Sequence, residues 1–193
     1  MKTIWFVRHG ESVADRGEAT ENPQFIFLSP AGITQAGTFA ERFPWQPELI
    51  LTSPYLPAEQ TALKMIARFP EAATGIWECV REFVCLSPGR FMSTTSAERQ
   101  PALAAYWQRE DPDFVDGPGA ESYRQLAART EHMWELLSRR RERHILIFSH
   151  SRFISNVLLQ YYHPGLAAET YMRLFPREKV IPPCTVQEVQ VFQ

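Results

Sequence analysis

Hydrophobic residues along the chain follow two alternating patterns. Thr3–Val7 is a short β-branched and aromatic run, which predicts a buried strand ending at Arg8-His9-Gly10. Ser29-Pro30 reads as an N-cap followed by proline at the first helical position, with Ile33, Ala36, Ala40 and Phe43 on one face of the helix. Glu48–Thr52 is a second short strand. Ser53-Pro54 opens a second helix, with Ala58, Ala62, Met65, Ile66 and Phe69 inward. Gly75–Phe83 reads as a third strand, and Ser93–Arg109 as one or two helices between proline-rich turns. Ser122–Arg141 keeps a 3.6-residue period through Tyr123, Leu126, Ala127, Thr130, Met133, Trp134 and Leu137. His144–Ser149 is an unbroken apolar strand, and the helix after it turns Phe153, Ile154, Val157, Leu158 and Tyr161 inward. Thr185–Phe192 closes the series as an edge strand.

Strands that are apolar on both sides and alternate with helices imply a three-layer α/β/α sandwich around a mostly parallel sheet. The 193 residues suit one domain, with no repeat, low-complexity stretch or linker. Residues 87–119 hold the densest turn signals and are expected to form a lid or insertion over the sheet edge.

Composition narrows the function. The hydrophobic share of 45%, with 13 Phe and 5 Trp, supplies a core, and 22% charged residues exclude a disordered chain. Twenty basic against 22 acidic residues, a net charge of −2, argue against a nucleic-acid binder. No apolar run reaches the roughly 18 residues of a membrane span, and Met1–Arg8 lacks a signal-peptide core. Cys79, Cys85 and Cys184 form no CxxC pair, so reduced thiols in a cytoplasmic protein are expected. Proline outnumbers glycine, 15 to 9, so many corners are stiffened by fixed φ.

In a parallel sheet, ligands bind beyond the carboxyl ends of the strands. Arg8-His9-Gly10-Glu11-Ser12 arrives there from the first strand, Ser53 from the second, Arg81 and Glu82 from the third, and Ser149-His150-Ser151 from the fourth. Two histidines, an arginine and a carboxylate fit phosphoryl transfer. A neutral imidazole attacks phosphorus and carries the group, while Arg8, protonated His150 and helix-start amides meet the charge. One carboxyl group such as Glu82 can protonate the leaving oxygen and later activate water. Gly10 lets the backbone turn close to the anion. His132, His144 and His163 read as structural, and no HxH or HExxH spacing suggests a metal.

Several short motifs, in this order and spacing, resemble the histidine phosphatase superfamily, with its phosphoglycerate mutase-like fold. They are Arg8-His9-Gly10-Glu11-Ser12, Leu28-Ser29-Pro30-Ala31-Gly32 with Gln35-Ala36, Ser53-Pro54, Ala58-Glu59-Gln60-Thr61-Ala62, Glu82, Gly119-Ala120-Glu121-Ser122 and Ile147-Phe148-Ser149-His150. The resemblance implies that His9 is the phosphorylated nucleophile, that Arg8 and His150 hold phosphoryl oxygens, and that Glu82 is the acid. It makes Ser12 and the amides near Ser151 secondary phosphate contacts, and implies no cofactor or metal.

The chain departs from the family pattern at Pro57, where the family places a phosphate-clamping arginine, and at Asp15, where asparagine is frequent. Removing such a donor typically costs about 3–4 kcal/mol of transition-state stabilisation. Arg81, Arg90 or Arg152 are the candidates to replace it.

A phosphomonoesterase acting on a phosphorylated small molecule or phosphopeptide is the leading expectation. The alternatives are a weak or inactive member that binds phosphorylated ligands or partners, a phosphoglycerate mutase-type phosphotransferase, and a phosphohistidine-protein phosphatase. Oligomeric state is left open by the sequence.

Overall fold

A computed structural model describes residues 1–175 and 180–191. It contains the expected sandwich. Five strands, β1 (Lys2–Arg8), β2 (Leu49–Thr52), β3 (Ala73–Ile76), β4 (His144–Ser149) and β5 (Val186–Val191), form one sheet in the order β3-β2-β4-β1-β5. The first four are mutually parallel, and β5 runs antiparallel along β1. The helices are α1 (Pro30–Arg42), α2 (Leu56–Arg68), α3 (Ser96–Gln108), α4 (Tyr123–Ser138), α5 (Ser151–Tyr162) and α6 (Ala168–Leu174).

Alternation along each strand builds two cores. Trp5, Val7, Ile50, Leu146 and Phe148 face Ala40, Phe43, Ala58, Ala62 and Met65 from the α1/α2 side. Ile4, Phe6, Leu49, Leu51, Ile145 and Ile147 face the other way, onto Leu126, Met133 and Leu137 of α4 and Phe153, Ile154 and Val157 of α5. Both strand faces are buried, which is why these strands read as unbroken apolar runs. Among the described residues no helix is long and apolar enough to cross a membrane.

Several local expectations change. The third strand stops at Ile76, and Glu78–Val80 forms a 3-10 turn, so Glu82 lies on a loop rather than at a strand end. Helix α2 starts at Leu56, with Tyr55 as an N-cap lacking a side-chain hydrogen bond. Pro57, not Pro54, occupies its first turn. Ile33 is exposed, whereas Ala36, Ala40 and Phe43 of that stripe are buried. Within Ser93–Arg109 there is one helix, Ser96–Gln108, opened by a Thr95/Glu98 capping box and continuing past Pro101. Helix α6 has no counterpart in the sequence reading, and Phe192 lies outside the described residues.

The aromatic residues within 87–119 divide in two. Tyr106, Trp107 and Phe114 join the core around Phe83, Tyr123 and Phe175, whereas Phe91 lines the cavity described below.

Candidate active site

Pairing of β1 with β4 sets Arg8 opposite Ser149, so the loops leaving both strands emerge side by side. The His9 amide donates to the Ser149 carbonyl (3.0 Å), and the Ser53 amide to that of Phe148 (2.9 Å). His9 and His150, 141 positions apart in the chain (150 − 9), are brought to a ring-centroid distance of 5.1 Å.

The loop carrying His9 is fastened by residues that the sequence motifs contain. Gly10 N donates to Thr61 Oγ1 (3.0 Å), and that hydroxyl donates to the Pro57 carbonyl (2.7 Å). Glu11 N donates to Gln35 Oε1 (2.8 Å), and Leu28 N to Gln60 Oε1 (2.8 Å). Gly10 and Gly32 leave room for the loop to lie against the start of α1. A Cβ on Gly32 would fall 2.0 Å from the Glu11 carbonyl oxygen.

His9 Nδ1 lies 2.7 Å from the Gly10 carbonyl oxygen, which can only accept. The proton therefore sits on Nδ1, and the lone pair of Nε2 is left for chemistry. Burial, and then the neighbouring Arg8 guanidinium, lower the His9 pKa to about 4, so the ring is neutral at physiological pH. His150, with Nε2 2.8 Å from Ser53 Oγ, is also pushed well below the usual histidine range. Burial dominates there, followed by His9, Arg129 and Arg8. His150 is thus neutral by default, contrary to the protonated donor expected from sequence. A phosphoryl dianion beside it would favour the imidazolium form.

The Arg8 guanidinium donates from one terminal nitrogen to the Ile181 carbonyl (2.7 Å), and from the other to the Asp15 carboxylate. Its Nε is buried without a partner among the described residues. Asp15 also accepts from Ser12 N (2.9 Å) and Ser12 Oγ (2.8 Å). Its pKa is lowered: burial is the largest influence and opposes the shift, but Arg8 and the Ser12 bonds outweigh it.

Glu82 sits at the start of α5. Its Oε1 accepts from Phe83 N (2.8 Å) and Phe153 N (3.0 Å), with Oε2 3.4 Å from Arg152 N. The loop behind it is held by Arg129, which sequence reasoning missed. Arg129 forks onto Glu121 (2.6 and 3.0 Å) and donates to the carbonyls of Cys79, Arg81 and Glu82 at 2.9, 2.9 and 3.2 Å. No local spacing marks the pair, since Arg129 lies eight positions after Glu121, beyond the three or four residues of a helical ion pair.

Arg8, His9, Asp15, Glu82 and His150 line a cavity of about 360 Å³, which Ser12, Ser151, Pro57, Arg99 and Arg152 also border. Ser151 Oγ accepts from Ile181 N (3.0 Å), and the Ser12 hydroxyl is committed to Asp15. Arg90 does not line the cavity and pairs instead with Asp116, while Arg81 pairs with Glu121. Of the three replacements considered for the residue at Pro57, only Arg152 borders the cavity, joined by Arg99, which the sequence reading had not singled out.

Solved structures with the same fold include a mycobacterial glucosyl-3-phosphoglycerate phosphatase in complex with VO3. It is 22% identical, with a TM-score of 0.74, covering 98% of this chain and 91% of that one. An alpha-ribazole phosphatase from Shigella flexneri is 20% identical, with a TM-score of 0.75 over 99% and 91% of the two chains. A phosphoserine phosphatase from Entamoeba histolytica, in complex with 3-phosphoglyceric acid, is 20% identical, with a TM-score of 0.74 over 97% and 90%. A comparison with curated protein sequences returns no match. The family model for the histidine phosphatase superfamily (branch 1) matches residues 4–182, from Ile4 within β1 to beyond the Ile181 carbonyl that holds Arg8. The chain belongs to that superfamily.

Proposed function

We propose that the protein is a phosphomonoester hydrolase that works in two steps through a phosphohistidine on His9. The observation that carries this reading is the His9 Nδ1–Gly10 bond, which presents a neutral Nε2 nucleophile to a cavity shared with His150, Arg8 and Glu82.

Nε2 attacks phosphorus, and the bond from phosphorus to the leaving oxygen breaks. Glu82, in its acid form, gives its proton to that oxygen. The same carboxylate then takes a proton from water, whose oxygen attacks the phosphohistidine. The P–N bond breaks, orthophosphate leaves and His9 is regenerated. Arg8 and His150 stabilise the phosphoryl oxygens. The amide bonds to Oε1 orient Glu82, leaving Oε2 to exchange the proton. Substrates are phosphorylated small molecules or phosphopeptides, reached beneath residues 87–119.

Purified protein is expected to hydrolyse an aryl phosphate without added metal, and His9→Ala to abolish turnover. Acid-labile label trapped from a phosphorylated substrate supports the phosphohistidine step, whereas acid-stable label rejects it. Pro57 and the Asp15 carboxylate on Arg8 favour a second reading, a catalytically weak member that binds phosphorylated ligands. No turnover together with micromolar phospho-ligand binding would support that instead.

A further inference from the structure

We propose that the cavity holds a second anion-binding subsite. Arg99 of α3 and Arg152 of α5 would bind a carboxylate or second phosphate on the same molecule whose phosphoryl group His9 receives. This rests on the phosphotransfer reading above.

Both arginines are half-buried and border the cavity. Neither enters an ion pair among the described residues. Arg99 is held by neutral acceptors, the Thr94 carbonyl (2.7 Å) and Thr94 Oγ1 (3.1 Å), with Thr20 Oγ1 and Ser96 Oγ at 3.4 Å. These bonds fix its direction without pairing its charge with a carboxylate. Of the acidic side chains nearby, Asp15 is engaged by Arg8, Glu82 by the amides of α5 and Glu98 by Thr95. Glu21, which also borders the cavity, forms no ion pair with either arginine among the described residues.

Arg99 and Arg152 border the same cavity, and burial and then the like charge of Arg152 lower the Arg99 pKa. Two like charges held together without a carboxylate are costly unless an anion lies between them. Arg8 leaves β1 beside His9, whereas Arg99 reaches the same cavity from α3 and Arg152 from the start of α5, where its amide lies 3.4 Å from Glu82 Oε2. The cavity therefore carries positive charge from three elements rather than from Arg8 alone. Its volume of about 360 Å³ suits a small molecule reaching both His9 and these arginines.

The rim is built to keep Arg99 in place. Thr20 N donates to the Thr94 carbonyl (3.0 Å), and Ser93 N to the Thr20 carbonyl (3.0 Å). The loop after β1 and the segment before α3 are thereby joined beside Arg99.

The test compares substrates that differ in one anionic group: 3-phosphoglycerate against glycerol 3-phosphate, and fructose 1,6-bisphosphate against fructose 6-phosphate. Wild-type kcat/KM is expected to favour the more anionic member of at least one pair tenfold or more, and the favoured pair identifies carboxylate or phosphate. Arg99→Gln and Arg152→Gln should each lower that ratio about tenfold, with Arg152→Lys retaining part of it and thermal melts confirming folded protein. Ratios near one in the wild type overturn the proposal. So do ratios unchanged in both variants, since a parallel loss on both substrates places the arginines on the phosphoryl group itself. If nothing is turned over, calorimetric Kd values for the same pairs decide. A preference lost in the variants keeps the subsite while the hydrolase reading falls, and equal Kd values remove the subsite.

Discussion

The Asp15 carboxylate accepts from the Arg8 guanidinium and from both the amide and hydroxyl of Ser12, so much of the charge offered by Arg8 is already compensated. A phosphoryl group must compete with that pairing. Asp15→Asn keeps an acceptor for Ser12 and removes the competing charge. The inhibition constant of vanadate should fall about tenfold, the scale of one hydrogen bond to a charged group. An unchanged constant would mean that Arg8 serves the anion with Asp15 in place. Pro57 poses the complementary question. It sits in the first turn of α2, where a missing N–H costs little, and its carbonyl would persist as the acceptor for Thr61 in any variant. Pro57→Arg is expected to raise kcat/KM for an aryl phosphate by an order of magnitude or more. No increase would show that the pocket is satisfied by its present cations.

At the scale of elements, the site depends on two close fits. The loop after β1 rests against the start of α1 with no space for a methyl group between them. Gly32→Ala should cost about 2–3 kcal/mol in thermal or denaturant unfolding and depress activity by displacing the His9 loop. The second fit joins α4 to the loop carrying Glu82. Arg129 neutralises buried Glu121 and collects three carbonyls, so Arg129→Gln leaves a buried carboxylate with reduced compensation. About 3 kcal/mol of stability should be lost. Arg129 is a positioning residue, so the sharper readout is kinetic. The kcat should fall with KM less affected, and Arg129→Lys should recover part of the lost kcat. Loss of stability with an unaltered kcat would reduce Arg129 to a purely structural role.

For the whole molecule, two buried neutral histidines link folding to pH. The folded-state pKa of His9 is near 4, below the 6.5 of an unperturbed ring. As pH falls through 6.5 the unfolded chain takes up a proton that the folded protein resists until about pH 4. Stability therefore declines across that window, by about 3 kcal/mol for His9 at its lower end. His150 acts in the same direction. Thermal melts between pH 7 and 4 should show this decline, flattened in His9→Ala and partly offset by inorganic phosphate, whose charge favours the imidazolium. An identical slope in His9→Ala would place its origin elsewhere.

Sequence alone determined the sandwich, because strands buried on both faces must be continuously apolar and the intervening helices must repeat at 3.6 residues. It also brought Arg8, His9, Glu82 and His150 to the same sheet edge, since strand direction dictates where the loops emerge. It could not assign the partners of the charged groups. Asp15 on Arg8, Arg129 behind Glu82, and Arg99 and Arg152 on one cavity depend on side chains from separate loops and helices meeting in space. Glu82 itself came to rest on the amides of α5, not at a strand end. Local patterns fix the backbone's period and direction, whereas charge compensation is settled by tertiary neighbours. The number of cations left for a phosphoryl group is therefore a property of the folded molecule.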